Sequence, residues 1–507
     1  MYTSLRRQMR RAWLGLIAIG VITLSCLQCV TQERYRNLSP AMVRWDDSSV
    51  FREDLVDARI LDNGAAFRTA PNYHLAFDIS DDLDSAACRM SVRYVSTSDA
   101  PVPSVDFLLL PNMSPGTLSV EEVRVDGVEA RTEYQNDDTL LRVHFPTPVD
   151  PGGTAIVTVR YTLRQLLTHS VGFGGFGFSG GILNLGYAYP VIPDHNPWTE
   201  GKPPYWGDIT ANPAAFYVAA ISYPAALKLA APGQVLYGNR RSADGRTSVL
   251  IAHGPARDFA FALGRGVRTT ERRFGAVRIR LFAAGATGAS EIDAVKTAGA
   301  ALSLFGARFG SYPYRTLTLI SSRLDALGLE FPGSIILASW LLGDGSREVD
   351  GTTVKSMLEA TVIHEVAHQW FYGLVGNDQI AEPWIDESLA QYCTLLFEQV
   401  NHFPVEGSDG VTHFGDRWES LRNVPIPIGQ PVRSYTPRQY VPIIYGRAPL
   451  FLLTLRDRMG SATFDSFLAL LVREYSWRVV TGNDVRTLAE RACSCNLDEL
   501  WKRWVSG

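Results

Sequence analysis

The chain has 507 residues, 46% hydrophobic and 20% charged, a composition that excludes a disordered protein and is too long for one ordinary core, so two or three domains are expected. The formal net charge of −4 gives no electrostatic reason to expect nucleic acid as a partner.

At the N-terminus Arg6, Arg7, Arg10 and Arg11 precede an uncharged run from Ala12 to Val30. Basic residues followed by such a run predict an export signal, or an anchor retained in the membrane over residues 1–30 with the arginines in the cytoplasm. Cys26 and Cys29 lie at its far end, but Thr23 stands where a lipoprotein signal wants Leu, so a plain signal or anchor is preferred to lipidation at Cys26. No second apolar run of that length follows, so the remainder is expected outside the cytoplasm, in the cell envelope or beyond. The remaining four, Cys88, Cys393, Cys493 and Cys495, lack zinc-finger spacing and read by default as buried free thiols, with bridges from Cys493 and Cys495 to unnamed partners left open in an oxidising compartment.

Residues 45–265 read as β-rich. Val157, Val159 and Tyr161 alternate with polar neighbours, and Val123-Arg124-Val125 runs into the hairpin-type turn Asp126-Gly127. Tyr73–Ser80, Arg89–Val95, Leu141–Phe145 and Ala214–Ile221 are further strands, and many short strands predict an antiparallel β-sandwich, with an open barrel-like sheet as the alternative. Gly172–Gly177 is formally G-x-G-x-x-G but lacks the strand–turn–helix setting of a dinucleotide site, so it reads as a flexible surface loop bordering a cleft.

From residue 266 to 507 the pattern changes to α+β. A strand at Val277–Phe282 precedes a helix over Ser290–Phe309, then strands at Thr316–Ser321 and Ser334–Ala338. Thr352 or Thr353 caps a helix reaching about Tyr372, and Pro383 opens another reaching about Val400. Residues 411–507 are mainly helical, with Ala448–Met459 and Leu497–Val505 among the helices.

The chemistry concentrates in T-V-I-H-E-V-A-H-Q-W, residues 361–370. His364 and His368, four apart, share one helix face and can point two imidazoles at one metal ion. Glu365 is about 100° round the helix, off the metal but within reach of a water beside it. A catalytic zinc wants a third ligand and one open position. Glu387, eighteen residues beyond His368 on the next helix, completes a His–His–Glu site if the two helices fold back on one another.

With these residues set out, H-E-V-A-H-Q-W-F-Y-G followed by W-I-D-E-S-L-A-Q-Y resembles the gluzincin aminopeptidases of the aminopeptidase N type. Phe309-Gly310 with Tyr312-Pro313-Tyr314, the segment Gly328-Leu329-Glu330-Phe331-Pro332-Gly333 and Tyr445-Gly446-Arg447-Ala448 support the match. The resemblance implies a thermolysin-like zinc peptidase domain with a short helical C-terminal part and one Zn2+ per chain, acting on peptides. It implies that Glu330 and Gly328 bind substrate, Glu330 taking the free α-amino group, and that Tyr445 rather than Tyr435 or Tyr440 donates to the oxyanion. A second amine-binding acid, which the family takes from its N-terminal domain, has no evident position. Leu327, Leu329 and Ser388 depart from the family's motifs, and only 62 residues follow Tyr445, which predicts a more open site for larger substrates. An endopeptidase with the same zinc, a non-catalytic cell-surface binding protein on a peptidase scaffold and, in one branch of the family, epoxide hydrolysis stand as rivals. Hydrolysis of N-terminal residues from peptides outside the cytoplasm is the first expectation.

Overall fold

The computed structural model describes residues 38–507 apart from 63–66, 196–200, 203, 242–244, 286–287, 350, 402–409 and 425. The basic and apolar N-terminal run, with Cys26 and Cys29, lies outside the described residues.

Alternation builds the first part of the chain. In Ser85–Val95 the side chains of Ala86, Cys88, Met90 and Val92 are buried while Ala87 and Arg89 face out, the period of a strand covered on one face. Eight strands lie side by side in the order Gln234–Arg241, Arg246–Ala256, Ala215–Pro224, Asn72–Ile79, Ser85–Val95, Thr154–Arg164, Leu118–Val125 and Val128–Glu129. The sheet departs from the expected antiparallel pattern at one pair: Asn72–Ile79 and Ala215–Pro224 run parallel, with Asn72 opposite Phe216. No hairpin joins these two strands, so no local turn signal sets their sense. Val102–Leu108, Leu140–Val149 and Thr132–Gln135 form a three-stranded sheet, and Leu227–Ala230, Phe261–Arg265, Ile182–Leu185 and Phe176–Ser179 a four-stranded one. Their inner residues join one continuous core with the large sheet.

The glycine-rich segment is not a surface loop. Gly174, Gly175, Phe176 and Gly177 are buried, and a Cβ on Gly175 would stand 2.5 Å from the Leu329 side chain. The segment needs glycine because it packs directly on the strand Gly328–Phe331, and Asp325 N donates to Phe173 O at 2.9 Å. The expectation that it borders a cleft holds, since Phe173 lines the cavity described below.

A second sheet begins at Arg268. Its order is Arg268–Phe274, Val277–Ala283, Thr316–Ser322, Ser334–Ala338 and Gly328–Phe331, which leaves Gly328–Phe331 at an edge. The helix Ala289–Phe309 makes the crossover between the parallel strands Val277–Ala283 and Thr316–Ser322, burying Ala294, Val295, Ala298, Ala301, Leu302 and Phe305 along one stripe. The helices that follow include Val354–Ala367, Trp384–Asn401, Ala448–Met459, Ser461–Tyr475 and Gly482–Cys493. The reading of all four downstream cysteines as free thiols is overturned at two: Cys493 and Cys495 form a disulfide across Ser494, whose left-handed backbone (φ +51°) folds the chain back at the helix end. Cys88 and Cys393 are buried and free.

One buried cation ties the two parts together. Arg257, just past the strand Arg246–Ala256, donates to Tyr372 O at 2.7 Å, Asn212 O at 3.0 Å, Leu374 O at 3.0 Å and Arg478 O at 2.6 Å. Burial lowers its pKa to about 10, so it stays charged at neutral pH. Replacing it with Met keeps bulk but orphans four carbonyls. Arg257→Met is expected to lower the urea midpoint by the equivalent of about 3–5 kcal/mol, and an unchanged unfolding curve would contradict the clamp.

Candidate active site

Thr353 caps the helix Val354–Ala367, its hydroxyl accepting from Ser356 N at 3.2 Å. Apolar residues surround this helix because it is enclosed by Ala289–Phe309, the second sheet and Trp384–Asn401. It ends at Ala367, short of the expected Tyr372. Tyr372 swings to φ +127°, Gly373 N bonds His368 O at 2.8 Å, and Arg257 takes the Tyr372 carbonyl. The strained residue is further held by its hydroxyl, which donates to Asp258.

That ending aims the histidines. His368 is the last residue of the turn, and its Nδ1 donates to Phe371 O at 3.0 Å, which leaves Nε2 as a bare lone pair. His368 Nε2 lies 3.1 Å from His364 Nε2, and Glu387 Oε2 is 3.2 Å from the first ligand nitrogen of His364 and 3.6 Å from that of His368. Tetrahedral zinc with ligands at about 2.0–2.1 Å separates its ligand atoms by about 3.3–3.4 Å. The three observed separations bracket that value. Glu387 Oε2 and Glu365 Oε2 are buried with no hydrogen-bond partner among the described residues, an arrangement that a cation completes. The donor set, two imidazoles and one carboxylate, is the chemistry zinc prefers.

Around this triad the cavity, about 630 Å³, is acidic. Burial, then the charge of Glu330, pushes the Glu365 carboxyl well above its ordinary range. Glu365 is held where the sequence placed it, beside the ligands. Gly328 makes room for it: a Cβ there would fall 2.2 Å from Glu365 Oε1. Glu330 is buried on the edge strand, and its Oε1 accepts from Gln379 Nε2 at 2.9 Å. Gln379 also donates to Asp386 Oδ2 at 2.8 Å, whose other oxygen accepts from Asn377 at 3.0 Å. Glu330 makes no ion pair with a cationic side chain among the described residues.

Three contributors escaped the sequence reading. Asp208 is a cavity carboxylate from the first part of the chain, raised by burial and then by the charge of Glu330. It is a second acid in the cavity that holds Glu330, contributed by the first part of the chain. Gln369, next to His368, clamps the turn after the edge strand: Gly333 N donates to its Oε1 at 2.9 Å and its Nε2 to Phe331 O at 3.1 Å. Its position within H-E-x-x-H-Q was the available signal. Arg417, on the helix Gly410–Glu419, also lines the cavity.

Tyr445 lies in a π-helical segment, Ile443–Arg447, directly after Pro442. Proline cannot donate its backbone nitrogen, which favours a widened turn, and such bulges recur at functional sites. The Tyr445 hydroxyl donates to Glu387 Oε1 at 2.6 Å, so it orients a ligand and stands beside the triad. Burial, then the Glu387 charge, keeps it protonated. Tyr435 spends its hydroxyl on Pro427 O and Ile428 O, both at 2.9 Å, whereas Tyr440 lines the cavity with a hydroxyl that has no partner among the described residues.

An H-E-x-x-H helix crossed by a glutamate helix, with one zinc position among them, defines the gluzincin class of metal hydrolase. Residues 294–504 match the model of the peptidase family M1 domain. Tricorn protease-interacting factor F2 of Thermoplasma volcanium is 24% identical over 168 residues, which cover 32% of this chain and 21% of that protein. Endoplasmic reticulum aminopeptidase 1 of Rattus norvegicus is 24% identical over 147 residues, 27% of this chain and 15% of its own. The chain thus spans about a fifth or less of the length of these relatives. The M1 zinc metallopeptidase of Deinococcus radiodurans superposes with a TM-score of 0.61 at 20% identity, covering 87% of this chain and 93% of that one, and so shares its fold.

Gly328→Ala should push the Glu365 carboxylate aside without touching a ligand. The expected result is full zinc content with turnover lowered on the order of 100-fold; unchanged turnover would mean that the close approach is not used.

Proposed function

We propose that the protein removes N-terminal residues from peptides, with Glu330 and Asp208 holding the free α-amino group. The observation that carries this reading is a buried carboxylate, Glu330, in the same cavity as the zinc triad and lacking a cationic partner among the described residues. Burying a carboxylate uncompensated is costly, and a substrate ammonium supplies the missing charge. An edge strand is also where an extended peptide can add its backbone, which would align the first peptide bond with Glu365.

Zinc bound at His364, His368 and Glu387 supplies Lewis acidity toward the scissile carbonyl and acidifies water. The remaining work belongs to the chain. Glu365 takes the proton of the attacking water and delivers it to the leaving nitrogen. Tyr445 donates its phenolic proton in a hydrogen bond to the oxyanion. Gln379 and Asp386 keep Glu330 in place, and Gln369 keeps the edge strand against the metal helix. The Deinococcus radiodurans structural relative has been solved bound to a Tyr-Ser-Ala substrate, which supports a peptide as the occupant of this kind of cavity. An endopeptidase would have no use for Glu330 as an anchor.

The reading extends to location. The Cys493–Cys495 disulfide favours an oxidising compartment, in accord with the basic and apolar N-terminal run, so the protein acts outside the cytoplasm, membrane-associated where that run is retained.

Two measurements test the assignment. Acetylating the N-terminus of a good peptide substrate is expected to lower kcat/KM at least about 100-fold, since it removes a charge-assisted pair that orients the bond; equal cleavage of free and blocked peptide would make the protein an endopeptidase. Glu365→Gln is expected to keep its zinc and lose activity by about 1,000-fold or more, and retained activity would remove Glu365 as the base.

A further inference from the structure

The cavity carries six carboxylates, Asp208, Asp325, Glu330, Glu365, Glu387 and Glu398, and among its described lining residues a single guanidinium, that of Arg417. Arg417 is partly buried and makes no ion pair among the described residues. Among the described residues its one hydrogen bond runs from Nη1 to the backbone carbonyl of Tyr445 at 3.2 Å, which fixes the side chain without neutralising it. A cation drawn into an acidic cavity would ordinarily be expected to pair with one of the carboxylates.

Its placement relative to the triad gives it a direction. Arg417 is tied to Tyr445, whose hydroxyl reaches Glu387 and whose ring centroid lies 6.2 Å from that of His364, whereas Glu330 is held on the edge strand by Gln379. The anionic anchor and the cation therefore sit on different elements lining the cavity that holds the triad. For a substrate whose ammonium lies at Glu330 and whose first peptide bond lies at the triad, Arg417 is the cationic side chain of the described cavity lining available to an anion on the remainder.

Resting on the aminopeptidase reading above, we propose that Arg417 binds a carboxylate carried by the substrate beyond the scissile bond, so that the enzyme favours short peptides with a nearby negative charge. Two sources share this chemistry: the C-terminal carboxylate of a di- or tripeptide, and an acidic side chain just after the cleaved bond. A guanidinium fork suits either, bidentately.

The test compares kcat/KM for Ala-Ala-Ala with its C-terminal amide, and for Ala-Glu-amide with Ala-Gln-amide, in the zinc-loaded wild type and in Arg417→Gln. Using ratios cancels any general loss from a displaced Tyr445. The wild type is expected to favour the charged member of at least one pair about tenfold or more, and Arg417→Gln to bring that ratio to about one. A preference in the first pair assigns the C-terminal source, and in the second the side-chain source. Arg417→Lys, which keeps the charge without the fork, is expected to retain part of the preference. Calorimetric binding of the same peptides to Glu365→Gln protein should show the same discrimination in Kd with no turnover involved. Ratios near one in an active wild type, or a preference that survives Arg417→Gln, would overturn the inference while leaving the aminopeptidase reading intact. Hydrolysis of none of the four peptides would overturn both.

Discussion

Three lone pairs converge at one point: His364 Nε2, His368 Nε2 and Glu387 Oε2 lie 3.1–3.6 Å apart in a buried site. Without a positive charge among them this arrangement is repulsive and strips hydration from a carboxylate. With a divalent cation it becomes a ligand set. Much of the nearby structure serves to hold that convergence, from the Phe371 carbonyl that fixes the His368 tautomer to the Tyr445 hydroxyl on the second oxygen of Glu387.

The support reaches beyond the metal helices. The helix bearing both histidines ends where it does because Tyr372 turns into a strained conformation, and that turn is held by Arg257 and Asp258 from the first part of the chain. The same first part contributes Asp208 to the cavity and packs its glycine-rich segment on the edge strand that carries Glu330. The β-rich part therefore takes part in shaping the active site. His253 makes the same point from another side, with Nδ1 at 2.8 Å from Asp54 and Nε2 at 3.0 Å from Pro332 O, two residues past Glu330.

What could be read in the sequence follows the range over which each feature is determined. His364, Glu365 and His368 were legible because helical geometry alone puts them in register, and Glu387 because its helix is the next one along the chain and can fold back across the first. Glu330, Gly328 and Tyr445 were legible through motif resemblance; the reason for Gly328, the Glu365 carboxylate lying on its α-carbon, was not. Period-two alternation located the strands, but the parallel pairing of Asn72–Ile79 with Ala215–Pro224 depends on which distant segments meet. Asp208, Arg257 and Arg417 act through contacts between elements remote in sequence, where spacing carries no information, whereas Gln369 had a signal in its place directly after His368. The Cys493–Cys495 bridge was missed although its partners are two residues apart, because it depends on the left-handed turn at Ser494 that ends a helix.

X-ray absorption at the zinc edge of the purified protein tests the central claim most directly. The account predicts about one zinc per chain in a first shell of nitrogen and oxygen only, at about 2.0–2.1 Å, with two imidazoles resolved in the outer-shell scattering. Sulfur in the first shell, a single imidazole, or protein that binds no zinc would contradict it.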